Sequence, residues 1–147
     1  MGLKRQMKLV HHGSEVAELP EEWLAEADML SFVPKSASYR VDASGCEGRR
    51  VLNVRIEEVA PVRRSSGVPI FNDDIETGCT ARERVVCILR GFRADAKLPP
   101  VGVATLKPGT PHKYKLVAGV HRFYCSLAVG FSSVPAVEGF DWSTLDK

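Results

Sequence analysis

Residues 114–122, Tyr-Lys-Leu-Val-Ala-Gly-Val-His-Arg, hold the densest chemistry of the chain. The alternating stretch His112-Lys-Tyr-Lys-Leu-Val117 reads as a strand, Gly119 permits a sharp turn, and His121 and Arg122 fall in the first turn of the next helix. The first N–H groups of a helix lack partners within it, and the helix dipole is positive at the same end, so an anion is favoured there. Arg122 adds a planar, permanently charged fork suited to phosphate, and the His121 imidazole can donate a hydrogen bond or relay a proton near neutral pH. This is the chemistry of a phosphate or nucleotide site. Taken alone, Gly-x-His-Arg also describes a plain surface pair, so the surrounding elements decide its meaning.

From Arg49 onward strand and helix signals alternate. Val51-Leu-Asn-Val-Arg-Ile56 is a β-branched strand, followed by Glu57-Glu-Val-Ala-Pro61, where proline ends the element. Arg63 to Gly78 is a long loop, and its length favours a functional role over a plain linker. Thr80-Ala-Arg-Glu83 fits a capping box, with Val85, Ile88, Leu89 and Phe92 at helical spacing behind it. Pro100–Leu106 and His112–Val117 read as two strands of a hairpin. The helix from His121 to Val129 turns Phe123, Leu127 and Tyr124 inward and stops at Gly130. Ser133–Val137 is a last short strand, placed at an edge by its proline. Ahead of all this, Leu19–Leu30 reads as one short helix with Pro20 in its first position and Trp23, Leu24, Ala27 and Leu30 on one face. Residues 34–48 read as a loop. The expected fold is α/β (α+β): a small mixed sheet with helices packed on it over residues 48–147, and an N-terminal helical arm over residues 1–47.

At 147 residues, 44% hydrophobic and 26% charged, the chain has the size and mix of one globular domain. That composition excludes wholesale disorder, and no apolar run approaches the roughly 18 residues of a membrane span. The basic start lacks the apolar core of a secretory signal, so a soluble, cytoplasmic protein without a membrane partner is expected. A net charge of +2 generates no global field toward DNA. Its distribution is uneven: Arg49, Arg50, Arg55, Arg63, Arg64, Arg82, Arg84, Arg90 and Arg93 crowd the middle, while Glu15, Glu18, Glu21, Glu22, Glu26 and Asp28 crowd the start. The basic stretch reads either as a phosphate-facing surface or as a mixed, solvated face. Cys46, Cys79, Cys87 and Cys125 lack zinc-site spacing and read as reduced structural thiols, with Cys87 and Cys125 in apolar-periodic segments. His11, His12 and His112 read as exposed. Trp23, Leu24, Phe32 and Trp142 cover either the domain or a dimer face.

Taken in order, these pieces resemble the ParB/sulfiredoxin superfamily. The likeness rests on Val54-Arg-Ile-Glu-Glu-Val-Ala-Pro61, on Leu98-Pro-Pro-Val-Gly-Val103, on Gly119-Val-His-Arg122 opening a helix, and on the Val134-Pro-Ala136 that follows it. It spans about residues 49–138. The resemblance implies a nucleoside triphosphate, ATP or CTP with Mg²⁺, whose phosphates lie on Gly119, Val120, His121 and Arg122. Val120 stands where sulfiredoxins carry their catalytic cysteine, so reduction of a sulfinic acid is not expected. A helix face that sulfiredoxins turn toward the nucleotide corresponds to Arg84, Cys87 and Gly91, of which only Arg84 keeps the chemistry, as a phosphate contact. No room follows for the helix-turn-helix of chromosome-partitioning ParB proteins, so DNA would be met without sequence specificity.

Within such a superfamily the implied reaction is triphosphate hydrolysis, with DNA cleavage as a further activity; plasmid-encoded members of this kind inhibit conjugative transfer. Either reaction needs a carboxylate to position water and usually a metal to neutralise phosphate. Glu57 and Glu58, with His121 and Arg122, are the catalytic candidates, and strand alternation would turn one of the two glutamates away. Asp73 and Asp74 are candidate metal ligands. Two alternatives are a nucleotide-dependent small-molecule kinase and a non-catalytic, nucleotide-switched module that meets a protein partner through its N-terminal arm.

Overall fold

The computed structural model describes residues 6–46, 48–62 and 69–138. Arg63, Arg64 and Trp142 lie outside them. The fold is mixed α/β: a two-stranded hairpin, a four-stranded mixed sheet and, among the described residues, three α-helices. β1 (Met7–His12) and β2 (Glu15–Pro20) form the hairpin and lead into α1 (Glu21–Glu26). β3 (Val51–Arg55) is followed by a short 3-10 turn, Ile56–Glu58, and the next helix is α2 (Ala81–Arg93). β4 (Val101–Thr105), β5 (Tyr114–Ala118), α3 (Val120–Val129) and β6 (Ser133–Glu138) complete the order.

The sheet runs β3-β6-β4-β5; β6 is antiparallel to β3 and parallel to β4, and β4 pairs with β5 as the expected hairpin. Its two edges meet. Val59, just past β3, bridges Tyr114 at the start of β5, and Ala60 N donates to Tyr114 O at 2.8 Å. The sheet thus curls until the chain leaving one edge pairs with the other, which covers backbone that an open edge would expose. β6 is therefore internal, against the expectation of an edge strand. Its Pro135 is tolerated because the ladder with β4 begins one residue later, at Ala136, so no β4 residue stands opposite the missing N–H.

The first 47 residues are more than a helical arm. Gly13, at φ +60°, leads a two-residue hairpin turn, and a Cβ there would collide with the Pro61 ring. Val10, Ala17 and Leu19 are buried in the common core, so Leu19 and Pro20 belong to a strand. Pro20 caps α1 from outside its first turn, and Leu30 is exposed while Leu24 and Ala27 are buried. His12, expected at the surface, is buried: its Nε2 donates to Val59 O at 2.6 Å and its ring meets Phe123 edge-on at 5.1 Å. This bond ties the hairpin to the seam of the sheet. Burial lowers the His12 pKa; the Val59 bond opposes that shift and the nearby His112 adds to it.

The capping box of α2 forms as read, Glu83 N donating to Thr80 Oγ1 at 3.1 Å and Thr80 N to Glu83 Oε1 at 3.2 Å. Cys87, however, is exposed, one residue off the buried stripe of Val85, Val86, Leu89 and Phe92. The acidic start and basic middle neutralise each other where α1 meets α2. Arg82 chelates Glu26 through Nε and Nη2 at 2.9 and 2.7 Å, and Arg93 pairs with Asp28 at 3.3 Å. Both helices end in the same motif. Met29 N reaches back to Leu24 O and Asp28 N to Ala25 O; Ala96 N reaches Gly91 O and Asp95 N reaches Phe92 O. The left-handed position in each is an aspartate, Asp28 at φ +58° and Asp95 at φ +54°, where glycine is usual and where a negative charge meets the negative end of the dipole.

Two outcomes follow from these contacts. Asp95→Gly removes both the left-handed backbone cost and the misplaced charge, and should raise stability by about 1 kcal/mol in urea titration. A histidine held neutral by folding contributes stability above its unfolded pKa of about 6.5. That contribution declines as pH falls below this value, because the unfolded chain takes up a proton the folded chain refuses. His12→Gln should therefore lower the urea midpoint at neutral pH and flatten its decline between about pH 6.5 and pH 5.

Candidate anion site at the start of helix α3

α3 is packed on nearly every side. Phe123, Tyr124 and Cys125 are wholly buried, Leu127 is half-buried rather than turned fully inward, and burial pushes the Cys125 thiol far up, which leaves it unreactive. The direction of α3 is set by Gly119. It caps the helix at φ +85°, and a Cβ there would stand 3.1 Å from the Val101 backbone and 2.9 Å from its side chain. β5 can turn into α3 only because that space is empty. The helix start carries no side-chain cap and no acidic residue in its first turn; Phe123 N is the first to find a helical acceptor, Gly119 O at 2.9 Å. A helix start of this kind presents the positive end of its dipole to whatever reaches it.

A cavity of about 340 Å³ opens at this point, lined by Asn72, Arg84, Ile88, Gly119, Val120, His121 and Arg122. All five residues read from the sequence as phosphate contacts are therefore brought together. Arg122 is half-buried; its Nη2 donates to Pro100 O at 3.2 Å, while its Nε is buried without a hydrogen-bond partner. Arg84 donates through Nη1 to both the carbonyl and the side-chain oxygen of Asn72, each at 3.1 Å. Among the described residues neither arginine has a carboxylate within ion-pair distance, in contrast to Arg55, Arg82, Arg90 and Arg93. Tyr39 lies behind Arg122 and donates to Pro99 O at 2.5 Å; burial raises its pKa to about 12, against the pull of the guanidinium.

His121 takes a different part from the one its sequence suggests. It is buried, and its Nε2 accepts from Asn72 N at 3.2 Å, so this nitrogen holds the loop in place and is not presented as a donor. Asn72 was invisible to sequence reading. It sits in the long loop, whose later part is anchored by buried Ile70 and Phe71, with the Phe71 ring 5.6 Å from His121. The expectation of a functional loop rested on length alone; the anchoring pair ahead of an asparagine was the available signal.

The carboxylate candidates lie elsewhere. Glu57 pairs with Arg55 at 2.5 Å, and Glu58 accepts from Arg55 N at 3.1 Å while its carbonyl accepts from Lys113 N. Neither lines the cavity. Asp73 Oδ1 accepts from Ala81 N at 2.6 Å, and Asp74 Oδ1 accepts from Glu76 N and Thr77 N. The Thr77 hydrogen bond, chiefly, holds Asp74 below the usual carboxylate range, and Arg84 adds a weaker pull. Each aspartate has its Oδ1 committed to backbone N–H groups and neither lines the cavity, so the two do not fit a magnesium ion on phosphates bound there. Cys87 and Gly91 are likewise absent from the cavity, Gly91 lying against Leu98. His112, expected to be exposed, is half-buried with an unpartnered Nδ1.

No family model, curated protein or solved structure matches the chain. No helix among the described residues is long and apolar enough to cross a membrane.

Gly119→Ala would force a left-handed alanine against the Val101 backbone. The expected loss is about 2 kcal/mol or more by urea titration, whereas Gly45→Ala, where nothing stands within 4 Å and φ is ordinary, should be near neutral.

Proposed function

We propose that the cavity at the start of α3 binds the phosphates of a nucleoside triphosphate, and that the chain works as a nucleotide-binding module. One observation carries this reading: two arginines without carboxylate partners, Arg84 and Arg122, line one cavity with the open N-terminus of a buried helix, and no carboxylate among the described residues lines it with them. Such a site concentrates positive charge in partial exclusion of water, where charged hydrogen bonds to phosphate are strongest. The likeness of residues 49–138 to the ParB/sulfiredoxin superfamily supports ATP or CTP as the ligand. Hydrolysis, kinase chemistry and DNA cleavage need a base at the terminal phosphate. Glu57 and Glu58 are engaged away from the cavity, so binding without turnover is favoured over the hydrolytic reading. Asn72 gives binding a route outward: a phosphate that draws Arg84 away frees both Asn72 oxygens, and the 69–79 segment can then shift.

Titration calorimetry with ATP, CTP and inorganic triphosphate tests the reading. Binding should be retained by triphosphate alone. Arg84→Ala and Arg122→Ala should each weaken it about ten-fold or more, the loss expected for one charged hydrogen bond. Undiminished affinity in both variants would remove the proposal, and sustained phosphate release that survives Glu57→Gln and Glu58→Gln would replace a binding module with an enzyme built on other residues.

A further inference from the structure

We infer that a second cavity, lined in part by Tyr39, is a binding site for a small planar aromatic anion. It holds about 500 Å³, within the range of small-molecule sites. Its inner wall is aromatic. Tyr39 stacks on Phe92 with centroids 5.4 Å apart, Phe131 meets Phe92 edge-on at 5.3 Å, and Phe32 meets Phe131 at 6.1 Å. Tyr39, Phe92 and Phe131 are buried and Phe32 is partly covered, and all four line the cavity, so its inner wall offers apolar aromatic surface to a planar guest. The wall is rigid, because Val41 bridges Leu98 and the Tyr39 hydroxyl is bonded to Pro99 O.

The rim carries the second observation. The two non-glycine residues in left-handed conformation among those described, Asp28 and Asp95, both line this cavity, one at the end of α1 and the other at the end of α2. Both are the left-handed residues of helix-end motifs, and what they bring to the cavity is their carboxylates. Asp28 pairs with Arg93, and Asp95 stands 4.0 Å from Arg40, so the carboxylates orient two guanidiniums along the rim. Lys35 lines the same cavity with no carboxylate in ion-pair range among the described residues. Three cations against two acids leave one positive charge uncompensated beside an aromatic wall. A ring bearing a carboxylate, sulfonate or phosphate answers both features. The inference is independent of the triphosphate reading, since neither Arg84 nor Arg122 lines this cavity.

Amide NMR titration of the full chain with salicylate, with benzyl alcohol as the uncharged control, tests it. Saturable shifts should be confined to residues 28–40, 92–96 and the neighbourhood of Phe131, and benzyl alcohol should bind at least five-fold more weakly. Lys35→Glu should weaken salicylate at least five-fold, as should Ser31→Glu, a second exposed rim position that adds repulsion without removing a contact. Arg84→Ala should leave salicylate affinity unchanged. Absence of saturable shifts, shifts spread over the whole chain, equal affinity for the alcohol, or unaltered affinity in both well-folded rim variants would each overturn the assignment.

Discussion

The close approach of Gly119 to Val101 is the constraint on which the candidate site depends. β5 must leave the sheet and reverse into α3 within one residue, and the space beside Val101 admits only a hydrogen at that residue. Once the turn is made, the helix has no freedom to reorient, because Phe123, Tyr124 and Cys125 fill the interior on successive faces. The sheet packs on it from one side and the β1–β2 hairpin from another, with His12 wedged against Phe123. A helix fixed in this way cannot move its N-terminus to meet another element. The loop comes to the helix instead, and Asn72 N–H on His121 Nε2 is where it arrives.

Features written in short stretches of sequence were legible. The Thr80–Glu83 capping box, the two left-handed glycines bounding α3 and the β4–β5 hairpin all depend on residues a few positions apart. Arg84, Gly119, Val120, His121 and Arg122 were grouped in the sequence by an ordered likeness, and their convergence on one cavity is a tertiary fact. What failed to show was non-local. Pro135 reads as an edge residue until β4 is known to start one position later. His12 reads as surface until the sheet curls and brings Val59 O within 2.6 Å. The hairpin over residues 7–20 did carry a local signal, Gly13-Ser14 between two short alternating runs, and the helix-like look of Leu19–Leu30 obscured it. Glu57 and Glu58 were assigned from sequence order, which says nothing of where a side chain finds its nearest cation.

Charge follows the same division between composition and geometry. An arginine-rich middle suggested a broad basic face. In the folded chain part of it is answered by the acidic start, where Glu26 takes Arg82 and Arg90 and Asp28 takes Arg93, and part locally, where Glu57 takes Arg55. These pairs are largely exposed and contribute little to stability. Their effect is to cancel field, so that the local positive potential belongs to the few cations they leave over. Arg84 and Arg122 are two such cations, separated by dozens of residues in sequence and drawn onto one cavity by the packing of α2 on α3.

Arg122 also shows why a cavity of this kind invites an anion. Its Nε is buried without an acceptor, and a donor removed from water and left unpaired carries a cost of roughly 1–3 kcal/mol. The carbonyl of Pro100 accepts from one terminal nitrogen, and Tyr39, kept protonated by burial, gives its own hydrogen to Pro99 O and so offers no countercharge. Each neighbour that could neutralise the guanidinium is a carbonyl or a neutral hydroxyl. The fold thus holds a positive group in a place where its own chain supplies dipoles but no opposite charge. A phosphate reaching the start of α3 would supply that charge to Arg122, to Arg84 and to the positive end of the helix together. Arg84 lies on α2 and Arg122 on α3, helices that meet only in the folded chain, so affinity for such an anion would be a property of the native state, and the ligand would stabilise the packing that creates its own site.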